Sequence, residues 1–598
     1  METNLLCVHQ LFTNQVERTP NAIAVVDGEQ ALTYRELDQI TDALAGYLQA
    51  HGVHLDTSVG ILMEKCTDYV IACIAALKAG GAYLPLDLAY PDALLSTILH
   101  ETASRVIVTK DHYSQRLDPT LKAQVLRLDT NASWREAQYD STAVSAITVD
   151  NLAYIVYSSG TTGKPKGILA PHRGAVHSYA QRYTLSSYLP GDRVACNVFL
   201  VWELFRPLLK GATLYIIPDS VIYDPRVLVN FLADNAISEV LFTPSLMETI
   251  LNSVDSHTLR AKLSSLQVLW LNGEVVTTRL KHRVLETLPE HVRLLNTYSI
   301  SECHDVASLD LRQTQDLPSG FCPVGYPIEG ISLRLLDEQM QPAPPGQAGE
   351  LYIGGPCLAR GYLNKPELTA ARFVTLAGER WYRTGDVAFV HPDGTLEIRG
   401  RCDFMVKIRG YSIHLGAVET ALLEQDGVQS CAVIAQGLEG EDKRLVAYVV
   451  RDAQADWTMH PNTGSCVELR QRLKPHLADY MIPSVYVELD AIPMNPTTGK
   501  LNHKLLPPPP PQEIYDEAEE IRLAETATAA EHIEAMRTLW ERVLSLPPGS
   551  IDDETNFFDF GGHSLLAVQL TVQIEKIFHT QIMVKDVYAC PTVTTLVD

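Results

Sequence analysis

Hydrophobic positions in the first 150 residues follow the helical period in some segments and the strand period in others. A helical pattern begins after Thr33, which is the expected N-cap, and Glu36 stands three residues later, as in a capping box. Residues 71–78 form an apolar segment of helical character, and residues 82–87 are predicted to form a strand and a turn. Helices and strands in alternation predict an α/β layered domain.

A loop of small, hydroxyl-bearing and basic residues follows a buried strand that is predicted at residues 152–157. Its glycines permit close approach of the backbone to an anion, its hydroxyl groups can donate hydrogen bonds, and its lysines add positive charge. The spacing does not match a Walker loop, so the segment predicts a polyphosphate site of another kind. The residues concerned are Ser158, Ser159, Gly160, Thr161, Thr162, Gly163, Lys164, Lys166 and Gly167.

Four later segments, at residues 197–205, 240–247, 266–274 and 294–306, are predicted to be short apolar strands or turns that end in polar residues. Strand ends of this kind line ligand crevices in α/β proteins. Residues 349–363 predict a β-rich subdomain.

Glycines on both sides of a charged segment near residue 402 predict a domain boundary, and a compact α+β unit follows to residue 506. Five consecutive prolines, Pro507 to Pro511, and an acidic run then predict a spacer between separately folded units. A small helical domain is expected after the spacer. The predicted units are residues 1–402, 403–506, 507–529 and 530–598.

Composition narrows the class of protein. The 598 residues are 46% hydrophobic and 20% charged, which is typical of a globular protein with several domains. The 48 basic and 72 acidic residues give a net charge of −24, which argues against nucleic acid as a partner. No apolar run is long enough for a bilayer, no signal peptide is recognisable, and the 11 cysteines lack paired spacing, so a cytoplasmic location without a membrane partner is expected.

The segment from Leu152 to Gly167 closely resembles the phosphate loop of the adenylate-forming enzymes, which include acyl-CoA ligases, luciferases and the adenylation domains of nonribosomal peptide synthetases. Further segments match adenylation-domain motifs in the family's order along nearly the whole chain. Residues 559–567, Asp-Phe-Gly-Gly-His-Ser-Leu-Leu-Ala, resemble the peptidyl carrier (thiolation) domains that follow adenylation domains.

The resemblance implies an α/β multidomain fold. Residues 1–402 would form a large N-terminal α/β/α layered core with a β-rich subdomain, and residues 403–506 a smaller, mobile α+β subdomain. Residues 530–598 would form a four-helix carrier domain that is truncated at its C-terminus.

The resemblance also implies two half-reactions. A small carboxylic acid attacks the α-phosphate of ATP, with Mg²⁺ bound, and gives an acyl-adenylate and pyrophosphate. A thiol then takes the acyl group and releases AMP. This thiol belongs to 4′-phosphopantetheine, which a phosphopantetheinyl transferase would attach to Ser564. Two anions must approach each other in the first step, so fixed donors and cations should dominate catalysis.

Several residues match positions with known roles in the family. Lys500 matches the lysine that bridges the substrate carboxylate and the phosphate. Asp386 matches the carboxylate that binds the ribose hydroxyls, and Arg401 is implied to lie beside the same sugar. Tyr298 is implied to lie against adenine, and Glu302 to hold the magnesium ion.

Two further matches concern motion and loop geometry. Asp403 matches the hinge about which the small subdomain rotates between the half-reactions, and Lys407 begins the segment that would line the thiol tunnel. Ser-Ile-Ser at residues 299–301 replaces the usual Gly-Pro-Thr, so this loop is expected to differ in geometry while its tyrosine and glutamate are retained.

The substrate pocket departs from relatives that load α-amino acids. Those relatives have Phe-Asp-x-Ser before Val-Trp-Glu, and alignment on Trp202 places Val198 where their aspartate pairs with the substrate ammonium. Removal of one partner of a buried ion pair costs about 3–5 kcal/mol, so an acid without an α-amino group is the expected substrate. The other lining positions are Phe199, Trp202, Ser245, Trp270, Asn272, Thr297, Asp305 and Val306.

Two tryptophans, a phenylalanine and a valine among the lining residues favour an apolar or aromatic side chain on the substrate. Asn272 or Asp305 could bind an α-hydroxyl group, and Asp305 could instead pair with an ammonium from a new direction. With no condensation domain before residue 1, the chain resembles the phenylpropanoid-loading modules of mixed peptide/polyketide synthetases, with downstream modules as partners. The alternatives are a phenylalanine-like amino-acid activator and a catalytically silent platform.

Overall fold

The structure is a computed structural model, and it describes most of the chain. The described residues are 6–140, 146–158, 165–198, 200–222, 224–337, 339–344, 346–401, 405–408, 411–437, 443–452, 455–459, 464–493, 505–510, 528–544, 546, 549–558, 560, 562, 564–580 and 582–597. Of Arg401, Met405, Lys407, Ser412, Ser564 and Leu565 only the backbone is described. Contacts between Cα atoms divide the chain into two units, and the main part of the first ends at Ser412.

A nine-stranded sheet forms one layer of the first unit. Its inner strands are parallel, and its two edges are completed by antiparallel strands. In spatial order the strands are Tyr326–Pro327, His304–Asp310, Arg293–Ile300, Val268–Asn272, Glu239–Phe242, Arg193–Cys196, Thr213–Ile216, Ile23–Asp27 and Gln30–Thr33.

A seven-stranded sheet forms another layer. The predicted strand before the phosphate loop is confirmed as Leu152–Ser158, which pairs antiparallel with the strand after the loop, so that Ser158 lies opposite Lys166. In spatial order the strands are Gly361–Tyr362, Lys166–Pro171, Leu152–Ser158, Ala82–Pro85, Ser58–Leu62, Val106–Thr109 and Gln124–Arg127.

Helices accompany both sheets. The predicted capping box is confirmed at helix Tyr34–Ala50, where the Thr33 amide donates to Glu36 Oε2 at 2.8 Å and the Glu36 amide donates to Thr33 Oγ1 at 3.2 Å. Helix Thr67–Lys78 is buried at every residue except Asp68 and packs on helix Tyr34–Ala50 in the main core cluster. The other helices before Ser412 are Val8–Arg18, Asp92–Thr102, Asp111–Ser114, Ser133–Glu136, His172–Leu185, Leu200–Glu203, Phe205–Leu208, Asp219–Ile222, Pro225–Asp234, Pro244–Ser253, Ser256–Lys262, Thr278–Thr287, Leu311–Gln313 and Pro366–Arg372.

The predicted β-rich subdomain is an antiparallel five-stranded sheet. Its longest strand, Glu379–Val390, pairs with three neighbours and contains Asp386. The other strands are Ser332–Leu336, Gly349–Gly354, Phe373–Leu376 and Leu396–Arg401. Two short strands follow along the chain, Met405–Ile408 and Tyr411–His414.

The second unit contains two groups of elements. The first group is an α+β arrangement around a three-stranded sheet, with strands Val428–Gln436, Arg444–Arg451 and Val485–Glu488 and helices Leu415–Leu423, Val467–Leu473 and Asp479–Met481. The second group consists of helices Ala529–Val543, Ser564–Phe578, Val584–Ala589 and Val593–Val597 around their own apolar core, which includes Trp540 and Phe557.

One predicted element was wrong. Residues 197–205 were expected to be a short strand or turn, whereas helices Leu200–Glu203 and Phe205–Leu208 lie here. A short apolar run does not reveal its period, and a Glu203–Arg206 ion pair at helical spacing joins these two turns. The expected boundary at residue 402 stays a prediction. Within the described residues, no helix is long and apolar enough to cross a membrane.

Candidate active site

A buried lysine–glutamate pair lies at the end of the phosphate-loop hairpin. Lys166 Nζ donates to Glu302 Oε1 at 2.8 Å, and the Tyr362 hydroxyl donates to the same oxygen at 2.9 Å. The side chains of Lys166 and Glu302 are only 4% and 8% exposed. Burial by itself would raise the pKa of Glu302, but the charge and hydrogen bond of Lys166 outweigh burial and lower this pKa. Glu302 is therefore held as a carboxylate.

This carboxylate fits the implied magnesium ion. Mg²⁺ in nucleotide sites is usually held by one or two carboxylates together with substrate phosphates. Among the residues that the structure describes, no group of three or more His, Cys, Asp or Glu side chains is arranged for a metal. Glu302 would supply a carboxylate ligand, and the ion would supply charge neutralisation at the phosphates.

The strand end before the phosphate loop has a free hydrogen-bond donor. The Ser158 hydroxyl is buried and has no partner among the described residues. A buried hydroxyl without a partner is costly unless a ligand completes it, so Ser158 fits the predicted role of a phosphate donor. The predicted loop residues Ser159, Gly160, Thr161, Thr162, Gly163 and Lys164 lie outside the described residues.

The predicted ribose and adenine residues are hydrogen-bonded to each other. The Tyr298 hydroxyl donates to Asp386 Oδ2, although the two residues are 88 positions apart in sequence. Asp386 is 4% exposed, and its amide donates to Thr384 Oγ1 at 2.9 Å, which fixes the strand around it. Arg401 lies opposite Asp386 in the strand pairing, so the backbones of these two residues are adjacent, and the implied place of Arg401 beside the ribose stays a prediction.

The predicted substrate pocket has an apolar wall. Val198 packs against a buried cluster that contains Leu241, Trp270 and Leu295. Val306 is fully buried in the main core, and Trp202 packs on the same core with its backbone oxygen accepting from the Tyr179 hydroxyl at 2.6 Å. Phe199 lies outside the described residues. Val198, which alignment places at the family's aspartate, thus packs against hydrocarbon.

Asp305 does not present a free carboxylate to this pocket. Arg182 contacts both of its oxygens, with Nε to Oδ2 at 2.7 Å and Nη2 to Oδ1 at 2.8 Å. The Ser178 hydroxyl also donates to Oδ2. Burial would raise the pKa of Asp305, but the adjacent guanidinium outweighs burial and lowers it. The expectation that Asp305 could pair with a substrate ammonium is not supported by these contacts.

Arg182 belongs to a larger buried charge network behind Trp270. Its Nη1 lies 3.0 Å from Glu203 Oε1, and Arg206 Nε donates to Glu203 Oε2 at 2.8 Å. Arg206 also donates to Glu239, which accepts from Trp270 Nε1 at 3.0 Å. The guanidinium carbons of Arg182 and Arg206 lie 4.8 and 5.3 Å from the Trp270 ring centroid.

The network carries a net negative charge. It contains two guanidinium groups, of Arg182 and Arg206, and three carboxylates, of Glu203, Glu239 and Asp305, so its formal charge is −1. All five side chains are at most 7% exposed, so water screens this charge weakly.

Asn272 has an unpaired donor. Its Oδ1 accepts from the Ser299 hydroxyl at 3.0 Å and from the Gly273 amide at 2.6 Å, which assigns the oxygen. Its Nδ2 is buried and has no partner in the described part of the chain. The Asn272 amide can therefore donate to a substrate oxygen, as the sequence predicted for an α-hydroxyl group.

The remaining polar lining residues are engaged with neighbours. Ser245 donates through its amide and its hydroxyl to the Glu274 carboxylate, at 2.9 and 3.1 Å. Thr297 and Ser308 share a hydrogen bond between their hydroxyl groups at 2.9 Å. The first contact joins the segments that follow strands Glu239–Phe242 and Val268–Asn272, and the second joins the paired strands Arg293–Ile300 and His304–Asp310.

A buried tyrosine–histidine pair connects the phosphate-loop strand to the Glu302 loop. The Tyr154 hydroxyl contacts His304 Nε2, and His304 Nδ1 lies 3.3 Å from the Cys357 carbonyl. Burial lowers the pKa of His304 to about 4, so the ring is neutral, with Nδ1 donating and Nε2 accepting. His304 has a φ of 58°, which is unusual for a residue with a side chain.

Several predicted residues lie outside what the structure describes. These are the lysine Lys500 and the hinge residue Asp403, and the side chains of Arg401, Lys407 and Ser564. The backbone places Ser564 as the first residue of helix Ser564–Phe578. Phosphopantetheine on Ser564 would thus begin at a helix N-terminus, which favours its phosphate.

Sequence reasoning missed Arg182, Ser178, Arg206 and Glu239. Only Arg206 had a local signal, because it stands three residues after Glu203 at helical spacing. Arg182 lies 123 residues before Asp305, and nothing in a single sequence indicates this pairing.

Three family models match the chain. The model described as AMP-binding enzyme matches residues 12–363, the model described as AMP-binding enzyme C-terminal domain matches 417–500, and the model described as phosphopantetheine attachment site matches 534–598.

Full-length similarity supports the same assignment. The chain is 42% identical over 580 residues to the glycine betaine reductase ATRR of Emericella nidulans, covering 95% of this chain and 45% of that protein. It is 33% identical over 601 residues to bacitracin synthase 2 of Bacillus licheniformis, covering 98% of this chain and 22% of that protein. The chain thus spans less than half the length of these relatives.

A solved structure has the same domain content. It is the holo form of a nonribosomal peptide synthetase protein that contains adenylation and PCP domains, bound to a vinylsulfonamide inhibitor. It superimposes with a TM-score of 0.77 at 25% identity, covering 99% of this chain and 96% of that chain.

Proposed function

The chain belongs to the AMP-binding enzyme family and continues into a phosphopantetheine attachment domain, as in nonribosomal peptide synthetases, and from this premise we propose that it activates a carboxylic acid and loads it onto its own carrier domain. In the first half-reaction the carboxylate attacks the α-phosphate of ATP and releases pyrophosphate. In the second, the acyl group would pass from the acyl-adenylate to the carrier domain as a thioester, with AMP as the leaving group.

The nucleotide half of the site supports the first step. Asp386 would bind the ribose hydroxyls, with Tyr298 holding its carboxylate in place. Ser158 would donate to a phosphate, and Glu302, kept ionised by Lys166, would hold Mg²⁺. Lys500 would bridge the substrate carboxylate and the α-phosphate, the role that its family position implies.

The carrier half would perform the second step. Ser564 would bear 4′-phosphopantetheine, added by a phosphopantetheinyl transferase, and the group would supply the thiol nucleophile. Rotation at Asp403 would withdraw Lys500 and bring the segment that begins at Lys407 to the thiol. Downstream synthetase modules or other processing domains would then consume the acyl thioester.

The substrate is proposed to have no N–H group on its α-position. The observation that carries this proposal is that Val198 lies in an apolar wall while Asp305 is bound on both oxygens by Arg182. A primary ammonium would lose its water without gaining a carboxylate, at a cost of about 3–5 kcal/mol. An α-amino acid activator with Asp305 as relocated partner is therefore disfavoured.

A quaternary ammonium acid of the betaine type fits these features. Its methylated nitrogen has no N–H and needs no hydrogen-bond acceptor, yet it is attracted by negative charge and by aromatic faces. The buried network with its formal charge of −1 and the half-buried Trp202 offer both. The similarity to a protein named glycine betaine reductase, across 95% of this chain, favours the same class.

An aromatic acid without an α-amino group, of the phenylpropanoid type, is the second candidate. The wall of Val198, Leu241, Trp270 and Leu295 favours it, because an aryl ring would bury its surface against hydrocarbon.

Substrate-dependent ATP–pyrophosphate exchange with matched acids tests the proposal. Glycine is paired with glycine betaine, which differs from it in methylation of the ammonium group, and phenylalanine with 3-phenylpropionate, which lacks the ammonium group. We expect exchange with glycine betaine to exceed exchange with glycine, and 3-phenylpropionate to exceed phenylalanine. A preference for either amino acid would refute the proposal. Absence of exchange with every acid would support a silent platform instead.

A further inference from the structure

We propose that Arg182 is a specificity-determining residue, which excludes acids with an N–H ammonium by occupying the carboxylate of Asp305. The inference rests on the proposed function, because it explains how a pocket of this family comes to reject α-amino acids. Arg182 is not one of the lining positions that alignment identifies, since it lies on helix His172–Leu185.

The contact geometry leaves Asp305 little capacity for a further donor. Arg182 donates to both carboxylate oxygens, at 2.7 and 2.8 Å, and Ser178 donates to one of them. A two-point guanidinium–carboxylate contact is among the strongest hydrogen-bonded pairs in proteins. An incoming ammonium offers the same charge with a poorer match to the two oxygens, so it would not displace Arg182.

Arg182 is also held from its other side. Glu203 lies 3.0 Å from its Nη1, and its guanidinium faces the Trp270 ring at 4.8 Å. Arg206 binds the far oxygen of Glu203 and thereby keeps that carboxylate in position. Arg182 is 2% exposed, so no water layer is available through which it could turn away. The pairing is a fixed feature of the pocket.

Loss of Arg182 should therefore uncover an ammonium acceptor without changing any lining residue. In Arg182→Met, Ser178 would be the remaining side-chain donor to Asp305 among the described residues, and Asp305 could accept from a substrate N–H. The measured quantity is kcat/KM in pyrophosphate exchange for glycine divided by that for glycine betaine, and likewise for phenylalanine over 3-phenylpropionate. We expect at least one of these ratios to rise tenfold or more in Arg182→Met.

The matched control is Arg182→Met combined with Asp305→Asn, which removes both charges of the pair. This double variant has no carboxylate at position 305, and Glu203 keeps its contact with Arg206 at 2.8 Å, so the ratios should return to within about twofold of wild type. A rise that persists in the double variant would contradict the role assigned to Asp305.

Arg182→Lys provides a second route if Arg182→Met does not fold. Lysine keeps the charge but loses the two-point contact, so one carboxylate oxygen becomes available and a smaller rise in the ratio is expected. Ratios unchanged in whichever of these variants folds would overturn the inference and leave Arg182 with a structural role.

The same experiment separates this inference from the proposed function. If wild type itself prefers glycine or phenylalanine, the proposed function fails, whatever the variants do. If wild type rejects both amino acids and the Arg182 variants reject them equally, only the inference fails.

Discussion

Replacement of Lys166 by methionine should destabilise the first unit through Glu302. The Lys166–Glu302 contact of 2.8 Å is almost fully shielded from water. In Lys166→Met the carboxylate would remain buried, with the Tyr362 hydroxyl at 2.9 Å and the Tyr382 side chain as remaining hydrogen-bond partners. Breaking a buried pair in this way costs about 3–5 kcal/mol.

This loss of unfolding free energy should lower the melting midpoint by a measurable amount. Unfolding entropy is about 2.1 cal/mol/K per residue, and a unit of about 400 residues therefore has about 0.8 kcal/mol/K. A loss of about 3–5 kcal/mol then lowers the melting midpoint by about 4–6 °C. Because the Tyr362 hydrogen bond to Glu302 remains, we expect the decrease in melting midpoint to lie near the smaller of these two values.

Thermal unfolding followed by near-ultraviolet circular dichroism measures the shift. Lys122→Met is the matched control, because Lys122 is exposed and its replacement should change the stability by less than about 0.5 kcal/mol. The double variant Lys166→Met, Glu302→Gln removes both charges and should recover most of the loss. MgATP should raise the midpoint of Lys166→Met more than that of the double variant, because a bound cation would pair with Glu302.

Two outcomes would refute this reasoning. A midpoint of Lys166→Met within about 1 °C of wild type would mean that Glu302 is not left uncompensated. A double variant as unstable as Lys166→Met would mean that the lysine stabilises the unit by packing rather than by pairing with Glu302.

Four further predictions address the remaining parts of the site. Asp386→Asn should lower kcat/KM for ATP in pyrophosphate exchange by about 10- to 150-fold, since a hydrogen bond to a charged group contributes about 1.5–3 kcal/mol, and it should have little effect with 2′,3′-dideoxy-ATP. Lys500→Ala should abolish adenylate formation but spare thioester formation from preformed acyl-adenylate; equal loss of both rates would contradict domain rotation. Ser564→Ala should leave pyrophosphate exchange intact and eliminate the acyl-carrier species in intact-protein mass spectrometry, and retained loading would identify another acceptor. Because Arg182 lowers the pKa of Asp305, the stability from this pair is present above the unfolded pKa of about 3.9 and is lost as pH falls through the lower folded pKa. The difference in melting midpoint between wild type and Asp305→Asn should therefore be constant near neutral pH and shrink below about pH 4. A difference that shrinks between about pH 8 and 6 would contradict this assignment.

Local features were predictable where neighbouring residues determine them. The capping box of Thr33 and Glu36 and the strand Leu152–Ser158 were predicted from a few adjacent positions and are confirmed. The family assignment was predictable for the same reason, because the phosphate loop and the carrier motif are short continuous segments. The helices at residues 200–208 were missed, because a short apolar run has no visible period.

The sequence by itself determined which chemical groups the protein possesses, namely the serine, glycine and lysine residues of the loop, the carboxylates of Glu302 and Asp386, and the apolar side chain of Val198. Only the tertiary structure decided how these groups are used. It joins Lys166 to Glu302 across 136 positions and Arg182 to Asp305 across 123. The physical reason is that the protonation state of a buried group depends on the partners that packed elements bring within about 3 Å of it. Separation along the sequence does not indicate which residues those partners are.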